Sequence, residues 1–197
     1  MSKIPYRSLV GSSSSLAGRT RPDISYAINI FSQFQEHPGI THWNGLLELL
    51  GYISYTKYLR LDLSNIQDLN LTAYADFANN HDDRIFMNEQ IVFIDQVPVT
   101  WQSFKQKSIC LSSMKSEFVA LTETAKELIW LQSILTECVE FNLISLNNVK
   151  PTLFVDNQAA IDFVKSHIEN YRTKRIVAKC LAVGVWCKQS NKQDNGE

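Results

Sequence analysis

The sequence lacks long apolar runs, a strong excess of charge of either sign, and closely spaced cysteine pairs. No stretch approaches the roughly 18 apolar residues that a membrane span needs, and the N-terminal segment MSKIPYRSLVGSSSS has no apolar signal-peptide core. The four cysteines and four histidines show no metal-ligand spacing, so a zinc site is not expected. We therefore expect a soluble intracellular protein, cytoplasmic or nuclear, with reduced thiols and no membrane partner.

The overall charge gives no sign of nucleic-acid binding. The chain has 19 basic and 20 acidic residues and a formal net charge of −1, so any such binding must depend on local basic patches. One basic stretch lies near the C-terminus, and it has two interpretations, a solvated surface or a phosphate-contacting patch. Its members are Arg172, Lys174, Arg175, Lys179 and Lys188.

Residues 1–60 have the apolar spacing of helices. The segment RPD at 21–23 predicts the start of one helix, and PG at 38–39 predicts a break. A second helix is expected to begin at Thr41 as its N-cap. Because no strand lies between the two, they are predicted to form a helical hairpin.

Two further expectations concern this hairpin. The serine run from Ser12 to Ser15 is expected to weaken any helix that contains it, because serine competes for backbone hydrogen bonds. The hairpin is not expected to stand alone. Its apolar faces around Ile28, Phe31, Leu46 and Leu50 should pack on the following domain or be exposed.

The pattern changes near Leu61. LNLTAYADFA, QIVFID and VPVTWQSF predict three strands, with a turn at Gln96–Pro98. From Ser112 onward apolar residues recur at helical spacing, PTLFVD predicts a short buried strand ending at Asp156, and NQAAIDFVKS predicts a helix capped by Asn157. This order predicts an α/β (α+β) fold with a mixed sheet and packed helices.

Three carboxylates stand where they can share a site. Asp76 is expected at or just past the end of the first strand, Glu117 in the first turns of the long helix, and Asp156 at the end of the buried strand. Ligands of open α/β sheets bind at the carboxyl ends of strands, and converging carboxylates need divalent cations. Two such ions about 4 Å apart can activate a water and stabilise the leaving oxygen of a phosphodiester.

Each carboxylate also has an ordinary structural interpretation. Asp156, next to Asn157, can act as a helix cap. Glu117 can be a favourable partner of the helix dipole, and Asp76 can be a turn residue. The residues alone leave both interpretations open.

Longer motifs resemble one known family. PYRSLVGS, RTRPDISYAIN, FSQFQEHPG and THW resemble the segment that closes the reverse transcriptase of copia-type retrotransposon Pol polyproteins. AYADFANNHDDR, VPVTWQSFKQKSICLSS, MKSEFVALTETAKELIWL, LFVDNQAAI and ENYRTKRI resemble the ribonuclease H domain that follows it in those polyproteins. The resemblance covers about residues 4–176.

The resemblance implies a ribonuclease H-like fold, a five-stranded mixed sheet flanked by helices. It divides the chain into the C-terminal helical segment of a reverse transcriptase at 1–60, a ribonuclease H-like domain at 61–180 and a divergent tail at 181–197. The tail is expected to contain a short helix. The implied partners are an RNA–DNA hybrid and the rest of the Pol polyprotein, within a virus-like particle in an intact element.

The resemblance also implies the chemistry, which is cleavage of the RNA strand of RNA–DNA hybrids with Mg²⁺, or Mn²⁺ as an alternative. By motif, Asp76, Glu117 and Asp156 would be the catalytic and metal-binding residues. A further set is expected to contact phosphates independently of sequence. This set consists of Lys105, Lys107, Arg172, Lys174 and Arg175.

The sequence departs from the family pattern at three places. YADFA is two residues shorter than the motif in relatives; a deletion after Asp76 keeps its role, and we favour this over an ungapped alignment that places Tyr74 there. Apolar residues within 85–90 replace a polar turn, so that hairpin is expected to be poorly formed or rebuilt. Val177 stands where relatives carry a fourth acidic ligand, which predicts a weak or inactive site.

Two functions are therefore in competition. The first is a metal-dependent endonuclease that hydrolyses RNA in RNA–DNA hybrids and is impaired in this copy. The second is a catalytically inactive relic that keeps the fold and binds nucleic acid or protein weakly. A comparison of hybrid cleavage by this protein and its Asp156→Asn variant separates the two.

Overall fold

The computed structural model describes residues 5–64, 66, 69–80, 85–105, 113–141, 151–157, 162 and 184–187. These residues form an N-terminal helical unit and a five-stranded sheet that carries one long helix. The helices are α1 (Tyr6–Ala17), α2 (Ser25–Ser32), α3 (Ile40–Tyr55) and α4 (Ser113–Glu140), with a 3-10 turn at Pro22–Ile24 before α2. The strands are β1 (Leu71–Asn80), β2 (Ile85–Ile94), β3 (Val97–Lys105), β4 (Thr152–Val155) and β5 (Gly184–Cys187).

The predicted helices in the first 60 residues are confirmed, with two differences in detail. The N-cap of α3 is Gly39 rather than Thr41, and His42 Nδ1 accepts a hydrogen bond from the Gly39 N–H at 3.0 Å, which closes the first turn. The serine run does not interrupt α1. Ser12 Oγ donates to the Ser8 carbonyl at 3.0 Å, a local bond that serine can form inside a helix.

The helical unit has a core of its own, so the expectation that its apolar faces must pack on the following domain or be exposed is wrong for Ile28, Phe31 and Leu46. Ile28 and Leu46 are buried in one cluster with Tyr6 and Val10 of α1, and Phe31 packs on the same cluster. The physical reason is the intact α1, which covers the faces of α2 and α3 that a two-helix hairpin would expose.

A buried arginine fixes the turn before α2. Arg21, 5% exposed, donates to both carboxylate oxygens of Asp23 at 2.8 and 2.7 Å and to the Thr56 carbonyl at 3.2 Å. The Tyr52 hydroxyl donates to the same aspartate at 2.9 Å. The hydrogen bond from Arg21 lowers the pKa of Asp23. The network ties the RPD segment to the end of α3.

The sheet is mixed, as predicted. Its strand order is β3-β2-β1-β4-β5. β1, β2 and β3 pair antiparallel, whereas β4 lies parallel to both β1 and β5. This confirms the α/β fold class and the five-stranded mixed sheet that the resemblance implies.

The fifth strand lies in the segment that was predicted to be a tail with a short helix. Residues Gly184–Cys187 instead pair with Thr152–Val155, so the helix prediction is wrong for these four residues. Valine and tryptophan within GVWC favour a strand, and the exposed edge of β4 supplies the partner.

The hairpin between β1 and β2 is rebuilt rather than lost. The two strands pair in continuous register from Leu71↔Ile94 to Asn80↔Ile85, so the apolar residues within 85–90 are strand. The next turn lies at residues 95–96, one position earlier than expected, and Pro98 belongs to β3 beside a register shift. A bulge is one of the few places where a strand tolerates proline.

One face of α4 packs across β1 and β2. The predicted stripe is confirmed, since Leu121, Ala125 and Leu128 are buried in the sheet core with Phe118, Leu131 and Leu135 around them. Ala73 and Ala75 of β1 lie in the same core. Side chains alternate along a strand, so Tyr74 and Asp76 belong to the opposite face.

The helical unit packs on that opposite face. Trp101 Nε1 of β3 donates to the Ala17 carbonyl at 2.7 Å, and Asn29 Nδ2 of α2 donates to the Ser103 carbonyl. The end of α1 and the middle of α2 are therefore held against β3.

Candidate metal centre

The sheet register brings two aspartates side by side. The last pair of the parallel β1–β4 ladder is Tyr74↔Phe154, and Asp76 and Asp156 each lie two residues beyond it. Asp76 is thus within β1, four residues before its end, which corrects its expected position at or past the end of the strand. Asp156 was predicted to be the last residue of the strand, and it instead follows Val155, where β4 ends.

The long helix brings the third carboxylate. Glu117 is the fifth residue of α4 and lies one turn before Leu121, which is buried against the sheet. Residues four apart share a face of a helix, so Glu117 is directed at the sheet too. Glu117 is only 2% exposed.

The three predicted carboxylates meet. Each of Asp76, Glu117 and Asp156 offers a carboxylate oxygen, and these oxygens lie within 4.8 Å of one another. Asp76 and Asp156 are exposed while Glu117 is buried. The cluster is therefore open to solvent on one side, with Glu117 at its base.

The surroundings of Glu117 disfavour its charged form. Burial, followed by the negative charge of Asp156, a hydrogen bond with Asp156 and the charge of Asp76, raises the pKa of Glu117 to about 8. Its Oε2 is buried and has no hydrogen-bond partner among the described residues. A divalent cation would satisfy this oxygen and offset the repulsion, and oxygen ligands of this kind suit Mg²⁺. The residues fit a metal ion.

Tyr74, the alternative to Asp76 in an ungapped alignment, takes no part in the cluster. Its ring stacks on Phe154 with centroids 5.2 Å apart and meets Phe93 edge-on at 5.9 Å. The geometry therefore brings the acidic residue at 76, rather than the aromatic residue at 74, into the centre.

A fourth acidic residue, Glu89, was not identified from the sequence. It lies directly across from Asp76 in the β1–β2 register. Burial, followed by the charge of Asp76, raises the pKa of Glu89. Its position depends on the continuous pairing of β1 and β2. The residues at 85–90 depart from the family pattern, so this pairing was not expected from the sequence.

Of the five residues predicted to contact phosphates, the structure describes Lys105. Lys105 ends β3 and is exposed. Lys107, Arg172, Lys174 and Arg175, and also Val177, lie outside the described residues.

Comparison with known proteins places the chain in a family. No family model matches. The chain is 35% identical over 178 residues to the retrovirus-related Pol polyprotein of transposon TNT 1-94 from Nicotiana tabacum, covering 89% of this chain and 13% of the relative. It is 37% identical over 173 residues to that of transposon RE2 from Arabidopsis thaliana, covering 87% and 12%.

A shorter relative matches almost along its full length. The chain is 34% identical over 133 residues to secreted RxLR effector protein 161 from Plasmopara viticola, which covers 66% of this chain and 94% of the relative. Two solved structures are also similar. An N-terminal ribonuclease H domain from Mycobacterium tuberculosis has a TM-score of 0.43 at 6% sequence identity, and the match covers 61% of this chain and 83% of that one. A ribonuclease H1 from Halobacterium salinarum has a TM-score of 0.39 at 12% sequence identity, and the match covers 60% of this chain and 82% of that one.

The five-stranded mixed sheet agrees with the ribonuclease H-like fold that the resemblance implies. The chain belongs to the copia-type, retrovirus-related Pol polyproteins. It spans about an eighth of the length of the Pol polyproteins that it matches. None of the helices in the described part of the chain is long and apolar enough to cross a membrane.

Proposed function

We propose that this domain holds divalent metal ions, Mg²⁺ or Mn²⁺, with Asp76, Glu117 and Asp156 and hydrolyses the RNA strand of RNA–DNA hybrids. One observation carries the proposal, the approach of the three carboxylate oxygens to within 4.8 Å. Carboxylates more than about 8 Å apart could not share ions spaced about 4 Å from each other. The observed spacing is well inside this limit.

The alternative that the cluster is only structural accounts poorly for Glu117. A glutamate needed solely for the helix dipole would be exposed, where water could solvate it. Here it is buried beside two other carboxylates, an arrangement that disfavours its charged form. Such a group is costly to the fold unless a cation is bound.

The residues of the centre have distinct tasks in the proposed reaction. When bound, divalent ions would activate a water and stabilise the leaving oxygen of the RNA phosphate. Asp76 and Asp156, both exposed, would hold the metal on the side open to solvent. Glu117 would supply the buried ligand, and the packing of Leu121 and Ala125 on the sheet fixes the helix that carries Glu117.

The substrate contacts and the larger assembly belong to the same proposal. Lys105 and the basic residues at 107, 172, 174 and 175 would contact phosphates of the hybrid. Residues 1–60 would be the end of a reverse transcriptase, and the rest of a Pol polyprotein would be a partner. Because β5 pairs with β4, we extend the ribonuclease H-like domain from 61–180 to residue 187.

We expect the activity of this copy to be weak. Val177 stands where relatives carry a fourth carboxylate, and removal of one preorganised electrostatic group typically costs about 10²–10³ in rate. This residue is also the observation that favours the second function, an inactive relic with weak nucleic-acid or protein binding.

The test is hybrid cleavage with Mg²⁺ or Mn²⁺ by the whole chain, its Asp156→Asn variant and the control Asp62→Asn. Asp62 is an exposed aspartate outside the cluster, so its substitution removes the same charge elsewhere. We expect slow cleavage that Asp156→Asn abolishes and Asp62→Asn leaves unchanged. Identical background in all three proteins would reject the nuclease and leave the relic.

A further inference from the structure

A pocket of about 220 Å³ lies between the helical unit and the sheet, beside the acidic centre. Its floor consists of two rows of side chains that run across β1, β2 and β3 in register. The first row is Tyr74, Ile91 and Trp101, and the second is Asp76, Glu89 and Ser103. The other wall comes from the turn before α2 and from its first residues, Pro22, Ser25 and Tyr26.

The apolar row and the wall opposite suit a flat ring. Tyr74 is held by its stacking on Phe154, and Trp101 is held by its bond to the Ala17 carbonyl. Tyr26, across the pocket, is 44% exposed. Aromatic side chains in such positions stack with nucleobases, and this contact accepts any base because every base has a π-face.

The second row adds selectivity. At a pH where Glu89 is ionised, its carboxylate only accepts hydrogen bonds, so it favours a base that presents N–H groups. Ser103 Oγ, at the end of this row, is buried and has no hydrogen-bond partner within the described part of the chain. A base without an amino group, such as uracil, could offer Glu89 only a single ring N–H.

We propose that this pocket binds one unpaired nucleobase that carries an amino group, guanine best of all, next to the carboxylate centre. Guanine presents two adjacent N–H donors to one carboxylate. Pockets for drug-sized ligands measure roughly 300–1,000 Å³, so this smaller pocket fits a single base rather than a whole nucleotide. The inference rests on the proposed function, because an unpaired nucleotide of the nucleic-acid substrate, outside its paired region, would supply the base.

The helical unit would then be part of the nuclease site. Tyr26 and Ser25 come from the segment that resembles the end of a reverse transcriptase, whereas Asp76 and Glu89 come from the sheet. The base would be held by both, which fixes the nucleotide beside the metal centre.

The test uses neutral nucleosides and the whole chain, with EDTA present, and measures binding by saturation-transfer NMR. We expect guanosine to bind more tightly than uridine. Tyr26→Ala should lower guanosine affinity at least about 5-fold, the lower end of what a stacked ring contributes. The control is Tyr55→Ala, since Tyr55 is 89% exposed and does not line the pocket.

A second variant tests the selectivity. Glu89→Gln should reduce the preference for guanosine over uridine about 10-fold, because a charge-assisted bond becomes a neutral one. Equal affinities for the two nucleosides, or guanosine binding that neither Tyr26→Ala nor Glu89→Gln weakens, would overturn the proposal.

The nuclease proposal and the base-pocket proposal can be tested independently. Nucleoside binding in EDTA needs no metal, and Asp156 does not line the pocket. Asp156→Asn should therefore keep guanosine binding while it abolishes hybrid cleavage. Cleavage without nucleoside binding would reject the base pocket alone, and binding without cleavage would reject the nuclease alone.

Discussion

Glu117 has opposite effects on stability and on function. Its carboxylate is buried at the base of the acidic cluster, where burial and the charges of Asp156 and Asp76 raise its pKa to about 8. The folded protein without metal therefore binds a proton at Glu117 more tightly than the unfolded chain does. The same arrangement makes the ionised side chain a preformed ligand for a cation.

The first prediction concerns stability against pH in the presence of EDTA. Glu117 has a higher pKa in the folded state than the usual 4.5, so its contribution is most favourable below pH 4.5 and is lost as the pH rises to about 8. At roughly 1.4 kcal/mol per pKa unit, the loss is on the order of a few kcal/mol. Urea unfolding between pH 5 and 8.5 measures it.

The matched variants are Glu117→Gln and Glu137→Gln, both on α4, with Glu137 exposed. Glu117→Gln should remove most of the pH slope, while Glu137→Gln should retain it. A slope that survives in Glu117→Gln would show that another group is responsible.

The second prediction is that divalent cations stabilise the fold through the same residue. A ligand that binds only the folded state at ten times its Kd adds about 1.4 kcal/mol. The expected result is a rise in Tm with Mg²⁺ or Mn²⁺ at pH 8, seen in the parent and in Asp62→Asn but not in Glu117→Gln. A rise of equal size in all three would place the ion elsewhere.

At the scale of elements, the sequence predicted the helices and strands whose formation depends on the local spacing of apolar residues. The face of α4 from Phe118 to Leu135 and the strands β1, β3 and β4 follow from periodicity, and the three carboxylates were found on that basis. The serine-rich α1 was underestimated because its stability comes from burial of Tyr6 and Val10 rather than from propensity. β5 was missed because four residues carry too little pattern without β4 beside them.

The site, like the elements, could be predicted only where it depends on local sequence. The types and spacing of Asp76, Glu117 and Asp156 were enough to expect their convergence. Glu89 and the pocket wall formed by Tyr26 could not be predicted, because both depend on contacts between distant parts of the chain. The position of Glu89 needs the β1–β2 register, and that of Tyr26 needs the packing of α2 on β3.

The third prediction tests the arginine that holds the element joining α1 to α2. Arg21→Ala should lower the free energy of unfolding by roughly 1.5–3 kcal/mol, because Asp23 loses its charged donor. Arg21→Lys should recover only part of this loss, since lysine keeps the charge but cannot form the two-pronged contact. Chemical denaturation measures both, and full recovery by lysine would contradict the role assigned to the geometry.

At the scale of the whole molecule, two separate cores are joined by polar contacts. One is the cluster of the helical unit and the other is the cluster under α4. Trp101 and Asn29 connect them through side-chain hydrogen bonds to backbone carbonyls. The two cores are therefore expected to open with different free energies.

The fourth prediction follows from this division. Trp101→Phe removes the donor to the Ala17 carbonyl, a loss of about 0.5–1.5 kcal/mol. Amides of α2 should exchange about 2- to 12-fold faster, as that energy implies, while those in the middle of α4 change little. Equal acceleration in both helices in native-state hydrogen exchange would show that the cores open together.

The position of β5 has a consequence for shortened copies of this gene. A stop codon between residues 181 and 183 would remove Gly184–Cys187 and leave the backbone N–H and C=O groups of β4 unsatisfied along that side. Uncovered strands of this kind recruit strands from other molecules. Such a truncation product should self-associate into β-rich aggregates instead of accumulating as a monomer.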